Sequence, residues 1–176
     1  MGGIGSGCWR TKPRKLTVDE SLTLDIGFLQ RTGHLTPGHS VVVRWPLNDE
    51  YEASIGCFAK DEELVLSYIF YLDGYERHIE TRIPILITAA HFGGYRYWAL
   101  CPFDASYRWV TKLYLPPCAT SFACRRCHDL TYASSQESNP YGWQPSPELR
   151  WPGLHFEYFK GIKAKEPKIV ESVVQD

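Results

Sequence analysis

Four residues between positions 101 and 130 have the types and spacing of a zinc site. Cys124 and Cys127 are separated by two residues, and Cys101 and Asp104 repeat that spacing with a carboxylate in the last place. Two thiolates so spaced can share one tetrahedral centre at about 2.3 Å from the metal, and a carboxylate ligates zinc at about 2.0–2.2 Å. Nineteen residues separate Asp104 from Cys124, as in zinc ribbons. We therefore predict that Cys101, Asp104, Cys124 and Cys127 bind Zn²⁺.

The fourth ligand is the least specified part of this prediction, because three cysteines define a metal site less decisively than four. Cys118, His91 and His128 are alternatives to Asp104, and a ribbon-shaped segment without metal is a further one. Residues 124–128 also match the CxxCH pattern of c-type haem attachment. Haem is disfavoured because the N-terminus lacks an export signal and the only methionine, Met1, offers no convincing distal ligand.

Catalytic machinery is not visible in the sequence. The six histidines are scattered, and none belongs to a recognised nucleophile or metalloprotease motif. We therefore expect a protein that is not an enzyme, with no small-molecule cofactor beyond the metal.

Basic and aromatic residues near the zinc ligands predict a surface for nucleic acid or another partner. Arg125 and Arg126 lie inside the turn formed by residues 124–127, which we call the knuckle. There they can offset a site charge of about −2, from three thiolates, one carboxylate and Zn²⁺. The alternative is that the tryptophans are core and the cations are ordinary solvated charges. The predicted surface comprises Arg96, Trp98, Arg108, Trp109, Lys112, Arg125 and Arg126.

Charge is unevenly distributed along the 176 residues, although the formal net charge is only −1. Residues 1–48 and 82–150 each carry a net charge of +3, whereas residues 49–81 carry −7. The acidic middle is consistent with two alternatives, acids that solvate one face of a sheet and an acidic face that binds a partner. The alternative function is therefore a protein-interaction module or inhibitor, of the adaptor or anti-defence type on a mobile element. It would use the acidic sheet face or the aromatic tail.

Hydrophobic spacing predicts a mainly β (α+β) fold. Residues 17–31 begin with a capping-box pattern and predict one or two short helices. Residues 40–88 alternate between apolar and polar and predict a four-stranded antiparallel β-meander, with Asp73-Gly74 as a hairpin turn. Residues 95–100 and 107–115 predict two further strands, which lead into C-terminal zinc-ribbon-like hairpins.

We expect four parts along the chain: a flexible Gly-rich and basic arm (1–16), a helix-plus-sheet domain (17–94), a zinc-ribbon-like element (95–133) and an irregular C-terminal extension (134–176). No run of about 18 apolar residues occurs, and the N-terminus lacks the apolar core of a signal peptide. We therefore expect a cytoplasmic protein without a membrane partner, in which the six cysteines are reduced.

Several motifs together resemble an uncharacterised bacterial family of zinc-ribbon-like proteins. They are GGIGSG at 2–7, TVDE at 17–20, HFGGYRYW at 91–98, LYLP at 113–116 and FACRRCHDLTYASSQ at 122–136. The resemblance covers residues 1 to about 137 and implies a β-rich protein with a CPxCG…CRxC ribbon and no established activity. It aligns Cys101, Cys124 and Cys127 with ribbon ligands. Asp104 and Ala105 stand where the family has Cys-Gly.

Overall fold

The computed structural model describes residues 15–46, 52–72, 75–103, 107–117, 119–135 and 167–171. Within these ranges the protein is mainly β, with antiparallel strands and few helices, which confirms the predicted fold class. Residues 1–14 of the predicted arm, the candidate ligands Asp104 and Cys118, and residues 136–166 of the predicted extension lie outside the described residues.

The N-terminal segment contains the predicted short helices, with a strand between them that the sequence pattern did not predict. A 3-10 helix spans Val18–Glu20, strand β1 spans Leu22–Asp25, and helix α1 spans Ile26–Arg31. The carboxylate of Glu20 accepts hydrogen bonds from the backbone N–H and the hydroxyl of Thr17, both at 2.8 Å. The capping-box residues therefore hold the start of this segment, as their spacing indicates.

The predicted four-stranded meander is confirmed. Its strands pair antiparallel in chain order, and the last pair between the third and fourth strands, Leu72↔Tyr75, leaves two residues for the predicted turn. Three short strands extend the sheet, and the full order is β7-β6-β5-β4-β3-β2-β9. The seven strands are β2 (Ser40–Pro46), β3 (Glu52–Lys60), β4 (Glu63–Leu72), β5 (Tyr75–Ala89), β6 (Tyr95–Leu100), β7 (Trp109–Val110) and β9 (Lys168–Glu171).

The predicted strand over residues 107–115 is divided between two sheets. After β7 the chain leaves the large sheet at Thr111, whose carbonyl accepts a hydrogen bond from the Ile26 N–H at 2.9 Å. It continues as β8 (Lys112–Leu115), which pairs antiparallel with β1 in a separate two-stranded sheet. The break follows from burial, because Leu113 and Leu115 are fully buried in the core whereas Trp109 stays 39% exposed.

One hydrophobic core joins the two sheets. Its largest fully buried side chains are Trp45, from the meander, and Phe122, from the segment that precedes the knuckle. Leu113 and Leu115 belong to the same core, and β6 pairs with β5 along five residue pairs. Strand pairing and packing therefore cross the predicted boundary between residues 94 and 95.

The C-terminal extension, predicted to be irregular, contains a strand. Lys168–Glu171 forms β9, which pairs with β2, and Ile169 packs against the core. Residues 168–171 are too few and show no polar–apolar alternation, so the sequence does not predict a strand there; they pair with the edge of β2 opposite β3. In the described ranges the longest helix has six residues, and none is long and apolar enough to cross a membrane.

Candidate metal centre

Cys101 is held at the end of β6. Its backbone N–H donates a hydrogen bond to the Arg108 carbonyl at 2.9 Å, which closes the loop that leads into β7. The Ala99↔Val110 and Leu100↔Trp109 pairs continue this ladder into the sheet. Cys101 is only 2% exposed, so the hairpin fixes a buried thiol at its tip.

Cys124 is fixed by the segment that precedes it. Phe122 is fully buried, with its ring centroid 6.4 Å from that of Trp45 and 5.9 Å from that of Tyr68. Ala123 and Tyr114 exchange two backbone hydrogen bonds, of 2.8 and 3.0 Å. The chain therefore enters the knuckle from a position anchored both in the core and on β8.

The knuckle brings three sulfur atoms together, as the spacing predicted. The Sγ of Cys127 lies 3.5 Å from the Sγ of Cys124 and 3.7 Å from the Sγ of Cys101, and all three lie within 4.8 Å of one another. Two thiolates bound tetrahedrally at about 2.3 Å from zinc would be about 3.8 Å apart. The cysteines are free thiols, and their spacing fits a shared metal ion.

The electrostatics of the cluster favour a cation. Burial acts to raise the pKa of Cys124, but hydrogen bonds from the Cys127 and Arg126 backbone and from the neighbouring thiols lower it below its ordinary value. Burial, hydrogen bonding to Cys124 and Cys101, and repulsion from their sulfur atoms raise the pKa of Cys127 to about 12. Since neighbouring thiolates repel one another, a bound divalent cation would supply the compensating charge at this cluster.

The two histidines considered as fourth ligands are placed elsewhere. The Nε2 of His128 lies 3.1 Å from the Ser121 carbonyl, and His91 lies in the β5–β6 turn with its ring 5.0 Å from that of Phe92. Neither joins the three sulfur atoms, and among the described residues no other histidine or carboxylate does. His128 adjoins Cys127 in sequence, but its hydrogen bond to the chain before the knuckle turns the ring toward the backbone.

The five predicted binding cations lie in two regions, one at the knuckle and its neighbouring surface and the other on β6. Arg108 lies beside the cluster, with its Nη1 3.9 Å from the Cys124 Sγ, and Arg126 is exposed on the knuckle. Arg125 stacks over the ring of Tyr132 at 4.9 Å, while Lys112 pairs with Asp25 at 3.3 Å. Arg96 lies on β6, over the Trp98 ring at 5.5 Å. Three of the five, Arg108, Arg125 and Arg126, therefore lie at the sulfur cluster or within the knuckle, and Lys112 lines the neighbouring surface.

A groove of about 590 Å³ adjoins the knuckle, and we call it the aromatic groove. It lies where β6 and β7 meet the two-stranded sheet and the residues that follow the knuckle. The sequence analysis singled out its tryptophans and cations but not Asp19, Tyr114 or Tyr132. No local pattern identifies these three, because separate segments contribute them. Its aromatic and charged lining consists of Asp19, Trp98, Trp109, Lys112, Tyr114, Arg125 and Tyr132.

Comparison with known proteins adds no further constraint on the site. The resemblance to a zinc-ribbon-like family, based on the sequence motifs, therefore stays a prediction. The placement of the three cysteines and the surrounding side chains is the basis for assigning a function. No protein-family model, curated protein or solved structure matches the chain.

Proposed function

We propose that this protein is a non-enzymatic zinc-ribbon-like protein that binds nucleic acid beside its metal centre. The observation that carries the proposal is the cluster of three sulfur atoms at 3.5 and 3.7 Å, set next to three arginines and an aromatic groove. Zinc sites of this kind are structural, so the metal would order the surface and perform no chemistry.

Zinc is the metal that the donor set favours. Thiolates select soft or borderline ions, and tetrahedral sulfur-rich sites are characteristic of Zn²⁺ or iron–sulfur centres. We propose Asp104 as the fourth ligand because it repeats the spacing of Cys124 and Cys127 after Cys101. The four ligands would then come from two turns, as in a ribbon.

Metal content of the purified full-length protein tests the zinc site. We expect one zinc ion per chain, lost in Cys124→Ser, because removal of one thiolate opens the site. Cys57→Val is the matched control, since Cys57 is also buried but lies on β3 outside the cluster. Equal zinc in the wild type and Cys124→Ser would contradict the proposal.

The fourth ligand needs its own comparison. Asp104→Ala should weaken zinc binding in a competition titration with a chromogenic chelator, whereas Cys118→Ser should leave it unchanged. Asp104→Cys should strengthen it, because it restores a fourth thiolate at the same spacing. If Cys118→Ser weakened zinc binding and Asp104→Ala did not, Cys118 would be the fourth ligand instead.

Cations beside the metal cluster support nucleic acid as the partner. Arg126 is exposed on the knuckle, and the Nη1 of Arg108 lies 3.9 Å from the Cys124 Sγ. Nucleic-acid-binding surfaces commonly combine exposed cations, which contact phosphates, with aromatic rings, which stack on bases.

Salt dependence of binding tests this role. If three cations contact phosphates, affinity for a labelled oligonucleotide should fall about 20- to 40-fold between about 50 and 200 mM salt. Arg126→Ala should weaken binding and flatten the salt slope, whereas Arg77→Ala, an exposed cation on β5, should change neither. Affinity that is absent at low salt, or insensitive to salt, would contradict nucleic-acid binding.

A protein partner is the second candidate, favoured by one specific observation. The β5–β6 hairpin exposes Ile87, Phe92 and Tyr95, and Phe92 is 99% exposed. Exposed apolar residues grouped on one projection are typical of protein-binding surfaces. Phe92→Ala should leave nucleic-acid binding unchanged, and a loss of nucleic-acid affinity in this variant would relocate the nucleic-acid site to the hairpin.

A further inference from the structure

We infer that the aromatic groove binds unpaired bases, so that the nucleic acid recognised is single-stranded. The inference rests on the proposed function and names the substrate form and the place of contact. Its basis is the joint placement of aromatic rings and cations in one concavity of about 590 Å³, a size typical of ligand sites.

The groove offers aromatic surfaces that are not used in the core. Trp109 is 39% exposed and Tyr132 is 51% exposed, although both rings line a concave site. Trp98 lines the same groove, and its indole N–H is already satisfied by the Thr88 hydroxyl at 2.9 Å. The rings therefore present apolar faces, which stack with nucleobases whatever their sequence.

Cations accompany these rings. The Arg125 guanidinium lies 4.9 Å from the centre of the Tyr132 ring, and the Lys112 ammonium reaches the groove from β8. Asp19 also lines the groove and Asp25 pairs with Lys112 at 3.3 Å, so these two carboxylates offset the two lining cations. Arg126, next to Arg125 in the chain, is exposed, and stacking platforms with arginines beside them are complementary to a strand that offers both phosphates and free base faces.

The exposed rings of the groove favour a single strand over a duplex. In a duplex the bases are stacked on one another, and their edges are reached only by an element that projects into a groove, such as a helix or a β-ribbon. Exposed aromatic rings on an open surface can instead stack on a base that has left the duplex. The β5–β6 hairpin exposes Phe92 and Tyr95 near its turn, and it would contact a duplex if the inference were wrong.

The groove is connected to the metal centre through the knuckle. Arg125 follows Cys124 directly, and its Nη1 donates a hydrogen bond to the Leu130 carbonyl at 3.1 Å. A metal that holds Cys124 and Cys127 thereby also positions this cation over Tyr132. We therefore expect removal of zinc to weaken binding of a single strand.

Fluorescence anisotropy with labelled oligothymidylate and a duplex of equal length tests the inference on the full-length zinc-loaded protein. We expect tighter binding of the single strand. Trp109→Ala and Tyr132→Ala should each weaken it about 5- to 140-fold, the range that corresponds to loss of one stacked base. Trp109→Phe should retain affinity because it keeps a ring, and Phe92→Ala should match the wild type. Circular dichroism and zinc content establish that each variant is folded.

The outcomes separate the two proposals. Binding of duplex as tightly as single strand, or unchanged affinity in both Trp109→Ala and Tyr132→Ala, overturns the groove while leaving nucleic-acid binding intact. Absence of binding to either probe at low salt overturns the proposed function itself. Loss of affinity in Phe92→Ala, with both groove variants unchanged, assigns the contact to the β5–β6 hairpin instead.

Discussion

The meander and the knuckle are buried in different ways. Strands β2 to β4 bury an unbroken row of apolar side chains, among them Trp45, Ile55 and Leu66. The interior at the knuckle consists of Cys101, Ala123 and Cys124, with Val110 packed against them. Small residues and thiols bury little apolar area, so the knuckle gains far less from the hydrophobic effect. The comparison implies that burial stabilises the meander, whereas the knuckle depends on its sulfur cluster and its anchors.

Phe122 is the anchor through which the two regions meet, and it carries the largest expected effect. Phe122→Ala should lower the free energy of unfolding by about 3–5 kcal/mol, because it removes a fully buried ring that packs on Trp45 and Tyr68. Urea denaturation measures this change, and Phe92→Ala, at a fully exposed ring, should change it little. A small effect of Phe122→Ala would mean that the regions are independent.

Metal removal should destabilise the knuckle while the meander keeps its protection from hydrogen exchange. If free zinc stands about 100-fold above its Kd, chelation should lower the apparent free energy of unfolding by about 2.7 kcal/mol. Amide hydrogen exchange should rise at residues 124–130 while β3 and β4 stay protected. Cys124→Ser should not respond to the chelator. Equal loss of protection in both regions would show that the meander also depends on the metal.

The difference between the wild type and Cys57→Val at alkaline pH should test the interior of the meander. Burial raises the pKa of Cys57 from 9.0 to about 12, so the folded state keeps a proton that the unfolded state releases above pH 9.0. The stabilisation is therefore complete below pH 9.0 and is lost as pH rises toward the folded pKa. Between about pH 8 and 10, deprotonation of Cys57 in the unfolded state should therefore lower the free energy of unfolding by about 1.4 kcal/mol. Urea denaturation should show that the free energy of unfolding falls with pH in this way in the wild type and not in Cys57→Val. An equal pH dependence in both proteins would mean that the Cys57 thiol is accessible to water.

The smallest effect is expected at the surface beside the knuckle. Lys15 pairs with Asp129 at 2.6 Å, but the side chains are 58% and 73% exposed. Water screens such a pair, so Lys15→Ala should change the free energy of unfolding by about 0.5 kcal/mol or less. Lys60→Ala, at an exposed cation on β3, is the control in the same urea titration. A loss above about 1 kcal/mol would show that surface charge, rather than sulfur, secures the knuckle.

Much of the sheet was predictable because its signals are local. Alternation of buried and less buried residues defines β3, and the two-residue connection between Leu72 and Tyr75 pairs β4 with β5. The division of residues 107–115 was not predictable. Trp109 and Leu113 lie in one continuous strand pattern. Only the tertiary structure shows that Leu113 is buried in the core and pairs with β1, whereas Trp109 stays partly exposed on the large sheet.

The residues of the candidate site were likewise predictable only in part. Spacing predicted the meeting of Cys101, Cys124 and Cys127, since short turns present ligands in pairs. The interpretation of Trp109 as core packing was wrong, because the ring lines a groove and stays partly exposed. Tyr114 and Tyr132 could not be found from sequence, because nothing in either neighbourhood indicates a shared groove.

The sequence by itself determined the mainly β class, the register of the meander and the grouping of three thiols. Each depends on periods or spacings of a few residues, over which backbone geometry is nearly fixed. Only the tertiary structure decided the pairing of β1 with β8, the strand at Lys168–Glu171 and the lining of the aromatic groove. These contacts join segments far apart in the chain, and the burial of a common core, rather than any local preference, brings them together.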